Sequence, residues 1–205
     1  MNIVAVVDYG MCNLDSIARA VEECGGRAII TNQKRDLERS NRIILPGVGA
    51  FPEAMENLKR LELDQALSEQ VIGKGIPLLG ICLGMQLLAN RGWEIRETQG
   101  LGWIAGEVKK IEPTKEDFRI PHTGWDEVNL QKDNFLFTGI LSGKDFYFNH
   151  SYRFCPDRER DIVAYTPYGC GFVSAVHKEN VVGVQFHPEK SQKLGLKVLK
   201  NFLEM

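Results

Sequence analysis

Residues 76–88 read Ile-Pro-Leu-Leu-Gly-Ile-Cys-Leu-Gly-Met-Gln-Leu-Leu, an apolar run that passes through Gly-x-Cys-x-Gly into a helical pattern. The run predicts a buried strand over Ile76–Ile81, because parallel strands covered on both faces are apolar throughout. The glycines on either side of Cys82 favour a sharp turn, since a residue without a Cβ relieves crowding where a strand passes directly into a helix. The pattern therefore predicts a nucleophile elbow with Cys82 at its tip.

An elbow of this kind would suit Cys82 to nucleophilic chemistry. A sulfur at a helix N-terminus is favoured as thiolate by the helix dipole and the free N–H groups. The N–H of Leu83 would point to the place where a substrate oxyanion forms. The alternative is a buried structural cysteine at a strand end, which is the common state of this residue type and the one expected for the other four cysteines.

Apolar strands and helical patterns alternate through the first half of the chain. Strands are predicted at Ile3–Val7, Ala28–Thr31, Arg42–Leu45 and Ile76–Ile81. Helices are predicted from Leu14 to the Gly25-Gly26 pair, around Glu53–Lys59 and around Asp64–Ile72. This alternation is typical of an α/β fold with a doubly wound, mostly parallel sheet.

The second half predicts an antiparallel extension of that sheet, because short strands follow one another with turns between them. These strands are Trp103–Ile111, Asp145–His150, Ile162–Tyr165, Phe172–Val176 and Val181–Phe186. A closing helix is predicted over about Gln192–Phe202, with Leu194, Val198 and Leu199 on one face. No repeat, low-complexity tract or linker interrupts the chain, so a single domain over residues 1–205 is expected.

Composition excludes several classes of protein. The chain has 205 residues, 43% hydrophobic and 25% charged, with a net charge of -2, which is ordinary for a globular protein. Nothing points to nucleic acid or a membrane surface as a partner, and no apolar stretch reaches membrane length. The N-terminal apolar run meets Asp8 without a positive leader or a cleavage-site pattern, so a strand is expected there and not a signal peptide.

The five cysteines are an odd number and include no C-x-x-C pair, which argues against a disulfide framework and against a zinc site. Free cysteines favour the reducing cytoplasm. No metal and no cofactor is expected, because the sequence contains no metal-ligand cluster and no cofactor motif.

A second candidate cluster follows the apolar run Val181–Phe186, which ends in His-Pro-Glu. Pro188 is expected to hold the chain extended, which would place His187 and Glu189 on the same side of the strand end. A thiol needs a base for its proton, and an imidazole needs an acceptor that fixes its tautomer. The alternative is a surface histidine beside a solvated glutamate. His177 is expected to be an ordinary surface residue.

The loop Pro46-Gly-Val-Gly49 directly follows a predicted strand. It does not match a phosphate-binding or dinucleotide-binding fingerprint. Its glycines would allow a peptide N–H to point at a reacting carbonyl, which makes the loop a candidate second oxyanion donor. The alternative is a simple turn.

These motifs together resemble the class I glutamine amidotransferases, whose pattern is matched by Gly80–Gln86 and by Gln185–Glu189. Three further motifs, Pro46–Gly49, Pro121–Trp125 and Phe148–Tyr152, are similar to those of the glutaminase subunits of imidazole glycerol phosphate synthases, from histidine biosynthesis. The resemblance extends over the whole chain. It implies that Cys82 attacks the side-chain amide of L-glutamine, that His187 carries the proton and that Glu189 orients His187.

The resemblance also implies the surrounding site. The backbone N–H groups of Val48, Gly49 and Leu83 would stabilise the oxyanion. The residues that would hold the substrate are Gly47, Val48, Gly49, Gln86, His150, Ser151 and Tyr152.

The family further implies a (β/α)₈ cyclase partner in a heterodimer, which receives the ammonia through a tunnel and makes imidazole glycerol phosphate. Glutaminase activity is typically low until the partner binds its own substrate. His122 and Trp125 would lie near the partner interface. For Trp125 the alternative is a core aromatic.

Three positions depart from the family pattern: Thr123, Asp126 and Asn149. The family often carries Asn where this chain has Asp126, and apolar residues at the other two positions. The departures keep an alternative open, in which a paralogous amidotransferase supplies ammonia for sugar amination in surface-polysaccharide synthesis. A non-catalytic scaffold with this fold is disfavoured by the complete set of Cys82, His187 and Glu189, and a stand-alone cysteine hydrolase is a further alternative.

Overall fold

The computed structural model describes residues 2–112 and 119–205. The single domain expected over residues 1–205 includes Met1 and residues 113–118, which lie outside these ranges. The strands are β1 Ile3–Val7, β2 Arg27–Thr31, β3 Arg42–Leu45, β4 Leu78–Ile81, β5 Arg91–Gly92, β6 Thr98–Gln99, β7 Gly106–Lys110, β8 His122–Leu130, β9 Lys144–His150, β10 Tyr152–Pro156, β11 Ile162–Thr166, β12 Phe172–Lys178 and β13 Val181–Val184. The helices are α1 Leu14–Glu23, α2 Lys34–Glu38, α3 Phe51–Arg60, α4 Leu63–Ser68, α5 Leu83–Gln86 and α6 Gln192–Leu203.

The large sheet has the strand order β2-β1-β3-β4-β13-β12-β11-β8-β9. Neighbouring strands from β2 to β13 are parallel, and those from β13 to β9 are antiparallel. The predicted parallel sheet with an antiparallel extension is therefore confirmed. A small second sheet has the order β10-β7-β5-β6.

Helices cover both faces of the parallel half, because its strands are apolar on both sides. Ala5 of β1 and Leu78 of β4 belong to the core beneath α3 and α4, whereas Val4 and Val6 of β1 belong to the core beneath α1 and α6. Burial of each large aliphatic side chain contributes roughly 1.5–3 kcal/mol. None of the helices in the described ranges is both long and apolar enough to cross a membrane.

The register of the central strands brings the important loops to one edge of the sheet. Ile81 of β4 pairs with Val184 of β13, so Cys82 and Gln185 follow side by side. Leu45 of β3 pairs with Gly80, so the glycine loop starts beside them. Sites in open α/β sheets form at this edge, beyond the carboxyl ends of the parallel strands.

Three regions of the second half differ from the prediction. The strand β10 was not predicted. β8 was not predicted either, because its mostly polar sequence carries no continuous apolar run, although it pairs with β9 from His122 to Val128. The strand predicted over Trp103–Ile111 begins only at Gly106. The residues before it are held in a loop, where the N–H groups of Leu101 and Trp103 donate to the carbonyls of Leu87 and Leu88.

Candidate active site

Cys82 lies at the turn between β4 and α5, where the tip of the elbow was predicted. Its backbone has φ 54° and ψ -110°, a strained conformation that costs about 1–3 kcal/mol. The flanking glycines are required by close approach. A Cβ on Gly84 would lie 1.8 Å from the carbonyl oxygen of Leu45, and a Cβ on Gly80 would lie 2.7 Å from the carbonyl oxygen of Gly84. The predicted need for glycine on both sides of Cys82 is confirmed.

The helix that follows Cys82 is shorter than the sequence pattern suggested. α5 contains only Leu83–Gln86. One helical turn develops little of the dipole that a long helix directs at its N-terminus. Other groups must therefore supply most of the stabilisation that a thiolate at Cys82 needs.

His187 and Glu189 form a buried pair beside the elbow. Nδ1 of His187 lies 2.8 Å from Oε1 of Glu189, and the two side chains are only 4% and 2% exposed. The expected extended conformation is wrong, because Pro188–Lys190 forms a 3₁₀ turn. Ser191 closes this turn: its hydroxyl donates to the carbonyl of His187 (2.7 Å) and accepts from the N–H of Tyr147 (3.0 Å). Sequence reasoning missed Ser191, because its two hydrogen bonds form only when the chain makes this turn.

The surroundings of His187 favour its charged form. Burial alone would lower the pKa of the ring, but the sulfur of Cys82 and the carboxylate of Glu189 raise it to about 10. These interactions favour the imidazolium form of His187. Nε2 of His187 makes no hydrogen bond to any described residue, so it is the ring atom available to exchange a proton with a substrate.

The side-chain amides of Gln86 and Gln185 form a chain of hydrogen bonds that ends at the sulfur of Cys82. Nε2 of Gln86 donates to the carbonyl of Tyr152 (2.9 Å) and to Oε1 of Gln185 (3.0 Å). Nε2 of Gln185 lies 3.6 Å from Sγ of Cys82, in position to donate to it. Gln86 was predicted to hold the substrate, yet this nitrogen is already bonded within the protein.

The predicted oxyanion donors are largely occupied. The N–H of Val48 donates to the carbonyl of Met11 (2.8 Å), and the N–H of Leu83 donates to the carbonyl of Gly47 (3.3 Å). Both N–H groups are therefore bonded within the protein in this conformation, and their role as oxyanion donors stays a prediction. Gly49 has φ +112°, a conformation that glycine adopts easily and that leaves the loop able to rearrange.

A cavity of about 320 Å³ opens in front of the sulfur. Its volume lies at the lower end of the range for small-molecule sites. The predicted site residues that line it are Val48, Gly49, Cys82, Leu83, Gln86, His150, Ser151 and Tyr152. Gly47 does not line it, because its position faces the hydroxyl of Tyr9.

Glu94 also lines this cavity and was missed by sequence reasoning. Its Oε2 accepts a hydrogen bond from the N–H of Phe51 (2.7 Å). Burial raises the pKa of Glu94, and the hydrogen bond from Phe51 partly opposes that rise. Glu94 sits in the loop between β5 and β6, and no local pattern in the sequence marked this loop as part of the site.

The ring of His122 is buried, so it offers no exposed surface of its own, and the expectation that it lies near the partner interface stays a prediction. Nδ1 of His122 lies 3.2 Å from Nε2 of His150, and Nδ1 of His150 lies 2.8 Å from the carbonyl of Tyr152. Burial lowers the pKa of His150 to about 3, so His150 is neutral and Nδ1 carries its proton toward that carbonyl. His122 thus supports the substrate-holding segment from behind.

Trp125 is exposed, as the interface prediction required, and the core alternative is wrong. Its side chain is 48% exposed and packs edge-on against Tyr147, with ring centroids 6.1 Å apart. Trp125 borders an open groove of about 630 Å³ that Leu194 and Leu196 line from the other side.

The three departures from the family pattern lie on the paired strands β8 and β9. The hydroxyl of Thr123 donates to Oδ1 of Asn149 (3.0 Å), its direct partner across the strands. Oδ2 of Asp126 lies 3.4 Å from Nε2 of His122. All three are therefore accommodated by local contacts, and none of them contacts His187 or Glu189 in these hydrogen bonds.

His177 lies away from this site but is not the plain surface residue expected. It is half-buried on β12, where Nδ1 lies 2.9 Å from Nδ2 of Asn134 and Nε2 lies 2.7 Å from the carbonyl of Glu179. Within residues 2–112 and 119–205, no three His, Cys, Asp or Glu residues cluster in a way that could hold a metal ion.

Solved structures with this fold include two from Thermotoga maritima. PurLQS superposes with a TM-score of 0.75 at 19% identity, over 100% of this chain and 99% of that chain. A glutamine amidotransferase from the same organism superposes with a TM-score of 0.64 at 22% identity, over 92% of this chain and 76% of that one. At such identities the likeness establishes the fold.

Sequence relatives identify the family. Imidazole glycerol phosphate synthase subunit HisH 1 of Campylobacter jejuni (strain RM1221) is 44% identical over 203 residues, which are 99% of this chain and 100% of the relative. Subunit HisH of Lactococcus lactis is 45% identical over 206 residues, which are 100% of this chain and 99% of the relative. The model of the family described as glutamine amidotransferase class-I matches residues 5–205. The chain belongs to the class-I glutamine amidotransferase family.

Proposed function

We propose that this chain is the glutaminase subunit of an imidazole glycerol phosphate synthase and that residues 1–205 form its single amidotransferase domain. It hydrolyses L-glutamine to glutamate and ammonia, and the ammonia serves histidine biosynthesis. The observation that carries the catalytic assignment is the buried 2.8 Å contact between His187 and Glu189 beside the strained Cys82 elbow. Relatives that cover the whole chain and are named as this synthase subunit support the pathway.

The chemistry follows from the positions of three side chains. The thiolate of Cys82 attacks the amide carbon of glutamine, and a C–S bond forms as the carbonyl oxygen becomes an oxyanion. The imidazolium of His187 gives its Nε2 proton to the departing nitrogen, so ammonia leaves and a thioester remains. Water then attacks the thioester while His187 takes up a proton, which releases glutamate and restores the thiolate. Glu189 keeps Nδ1 protonated throughout.

The cavity suits the amino-acid end of glutamine. Glu94 contributes a carboxylate to the lining, and Ser151 and Tyr152 contribute the segment that follows β9. A carboxylate is the natural partner of the substrate ammonium, since charge-assisted hydrogen bonds are roughly twice as strong as neutral ones. We propose that Glu94 binds the ammonium group of glutamine and that residues 150–152 bind the other polar groups of the substrate.

Two observed hydrogen bonds support an activity that depends on a partner. The N–H groups of Val48 and Leu83 are bonded to Met11 and Gly47, so the oxyanion site is incomplete in the chain by itself. Loss of a single oxyanion donor typically costs about 10²–10³ in rate. A partner that releases the glycine loop would therefore raise the rate strongly.

The partner we propose is a (β/α)₈ cyclase that forms a heterodimer with this chain in the cytoplasm and takes the ammonia. Trp125 supports an interface on the β8–β9 side, because exposed tryptophans are common anchors of protein interfaces. No observation on the chain favours sugar amination, since the three departures from the family pattern make contacts within the protein.

The test is glutamate release from glutamine, first by the chain alone and then with the cyclase and the nucleotide ligand of the cyclase. A low basal rate, a large rise with the liganded partner and complete loss in Cys82→Ala are expected. If the partner binds but its ligand changes nothing, the histidine-pathway assignment is wrong. If Cys82→Ala retains activity, the catalytic assignment is wrong.

A further inference from the structure

Gln185 is buried beside the sulfur, at a position that no catalytic role has yet explained. It follows β13 directly and has 0% exposure. The parallel register of β4 and β13 places it next to Cys82, whose N–H donates to the carbonyl of Val184 (2.8 Å). Its Nε2 lies 3.6 Å from Sγ.

The carbonyl of Tyr152, at the far end of the chain of hydrogen bonds, determines which atom of Gln185 donates and which accepts. The carbonyl of Tyr152 can only accept, so the side-chain atom of Gln86 that faces it must be the donor Nε2. The second hydrogen of that nitrogen points at Gln185, which must therefore present Oε1. The remaining group of Gln185, its NH₂, then faces Cys82. Reversing either amide would leave two donors or two acceptors in contact inside the protein.

A donor that is directed at a sulfur by a fixed chain of hydrogen bonds favours the anion over the thiol. We propose that Gln185 is a positioning residue that holds the sulfur of Cys82 as a thiolate facing the substrate. The proposal rests on the role of Cys82 as nucleophile. Two other groups face this sulfur: the ring of His187, whose imidazolium form also favours the thiolate, and the carbonyl of Asn149, 3.8 Å from Sγ, which favours the thiol. Gln185 adds to the effect of His187 and opposes that of Asn149, beside a helix α5 of one turn. Gln185 does not line the cavity, so it acts on the substrate only through Cys82.

The competing explanation is that Gln185 only fills space. A buried glutamine that serves packing can be replaced by methionine, which has a similar length and no donor, without a change in thiol chemistry. Gln70 offers a matched control. It is 1% exposed, its Nε2 has no hydrogen-bond partner among the described residues, and it does not line the cavity in front of Cys82.

The experiment measures alkylation of Cys82 by iodoacetamide against pH, in the complex with the cyclase and with the Cys82 peptide quantified by mass spectrometry. Gln185→Met is expected to move the midpoint of the pH–rate curve up by about one unit, and alkylation below the midpoint slows about tenfold. Gln185→Glu keeps an acceptor for Gln86 but presents a carboxylate to the sulfur, so its shift is larger. Gln70→Met leaves the midpoint unchanged.

The midpoints of the pH–rate curves of the variants, compared with one another, decide between the two explanations. A graded shift, from none in Gln70→Met through Gln185→Met to Gln185→Glu, supports the role of Gln185. Equal midpoints in folded wild type, Gln185→Met and Gln185→Glu overturn it, even where glutaminase activity is intact. If Gln185→Met fails to fold, Gln185→Glu carries the comparison. A separate result would show that the proposed function is wrong: the wild-type complex would hydrolyse no glutamine.

Discussion

Replacement of Glu189 by glutamine tests whether the buried carboxylate maintains the charge and the tautomer of His187. The side chain keeps its shape, but the hydrogen bond from Nδ1 now meets a neutral acceptor. A charge-assisted hydrogen bond contributes about 1.5–3 kcal/mol and a neutral one about 1 kcal/mol. With the pair 2.8 Å apart and almost fully buried, solvent cannot replace the lost charge.

The difference of roughly 1–2 kcal/mol sets the minimum effect, a fall in kcat of about tenfold. A larger fall follows if the new amide turns its NH₂ toward Nδ1. The ring would then carry its proton on Nε2 and could not accept one from the thiol, and the corresponding Asp→Asn change in serine triads costs about 10⁴. Oε2 of Glu189 has no hydrogen-bond partner in the described chain, so no neighbour holds the amide in the favourable orientation.

The assay is glutamate release by the complex with liganded cyclase, measured from pH 6 to 10. KM for glutamine should change by less than about twofold, because Glu189 does not line the cavity. The pKa of His187 is raised to about 10, so its imidazolium persists through neutral pH and is lost as pH rises through that value. Glu189→Gln lowers this pKa and moves the alkaline loss of activity to lower pH. The exposed Glu204→Gln is the matched control. An unchanged kcat and pH profile in folded Glu189→Gln would refute the reasoning.

Two further substitutions test the construction of the site. Gly84→Ala should destabilise the protein by more than about 3 kcal/mol in urea denaturation, since its Cβ would lie 1.8 Å from the carbonyl oxygen of Leu45. The control is Gly73→Ala, whose Cβ has no neighbour closer than 3.9 Å. Equal stability of the two variants would contradict the prediction. Asp126→Asn should stabilise the protein by about 1 kcal/mol at pH 7. Burial lowers the pKa of His122, so at this pH its bare Nε2 faces a carboxylate at 3.4 Å, where an amide would donate. The gain should shrink as pH falls through that pKa, and a loss of stability at pH 7 would contradict it.

The parts of the fold that the sequence predicted are those with one local cause. Continuous apolar runs located β1, β3 and β4, and the glycines around Cys82 located the elbow, because burial and backbone crowding act on neighbouring residues. β8 was not predicted, because it is half-buried and its sequence is mostly polar. Ser191 and Glu94 were not predicted for a different reason. Their contacts join segments that are distant in sequence, and these contacts depend on how two loops meet.

The same reasoning explains why the sequence alone does not establish the oxyanion donors. A sequence shows that Val48 and Leu83 can turn an N–H toward a substrate, but it does not show which other acceptors compete for it. The structure supplies two competitors, the carbonyls of Met11 and Gly47. Burial makes such bonds persistent, because an N–H released inside a protein must find another acceptor. The substrate oxyanion is that acceptor only after the loop has moved.

The carbonyl of Tyr152 joins the remaining parts of the site. It accepts from Gln86, whose amide leads through Gln185 to the sulfur, and from His150, whose ring leads through His122 to the strand that carries Trp125. A carbonyl has two lone pairs, and both are used here. A shift of β8 against β9 therefore changes the contact between His122 and His150 directly, and it reaches the two bonds of the Tyr152 carbonyl through the ring of His150. A hydrogen-bonded path therefore joins the sulfur of Cys82 to the strand that carries the exposed Trp125, and a partner that displaced this strand would alter the surroundings of the sulfur.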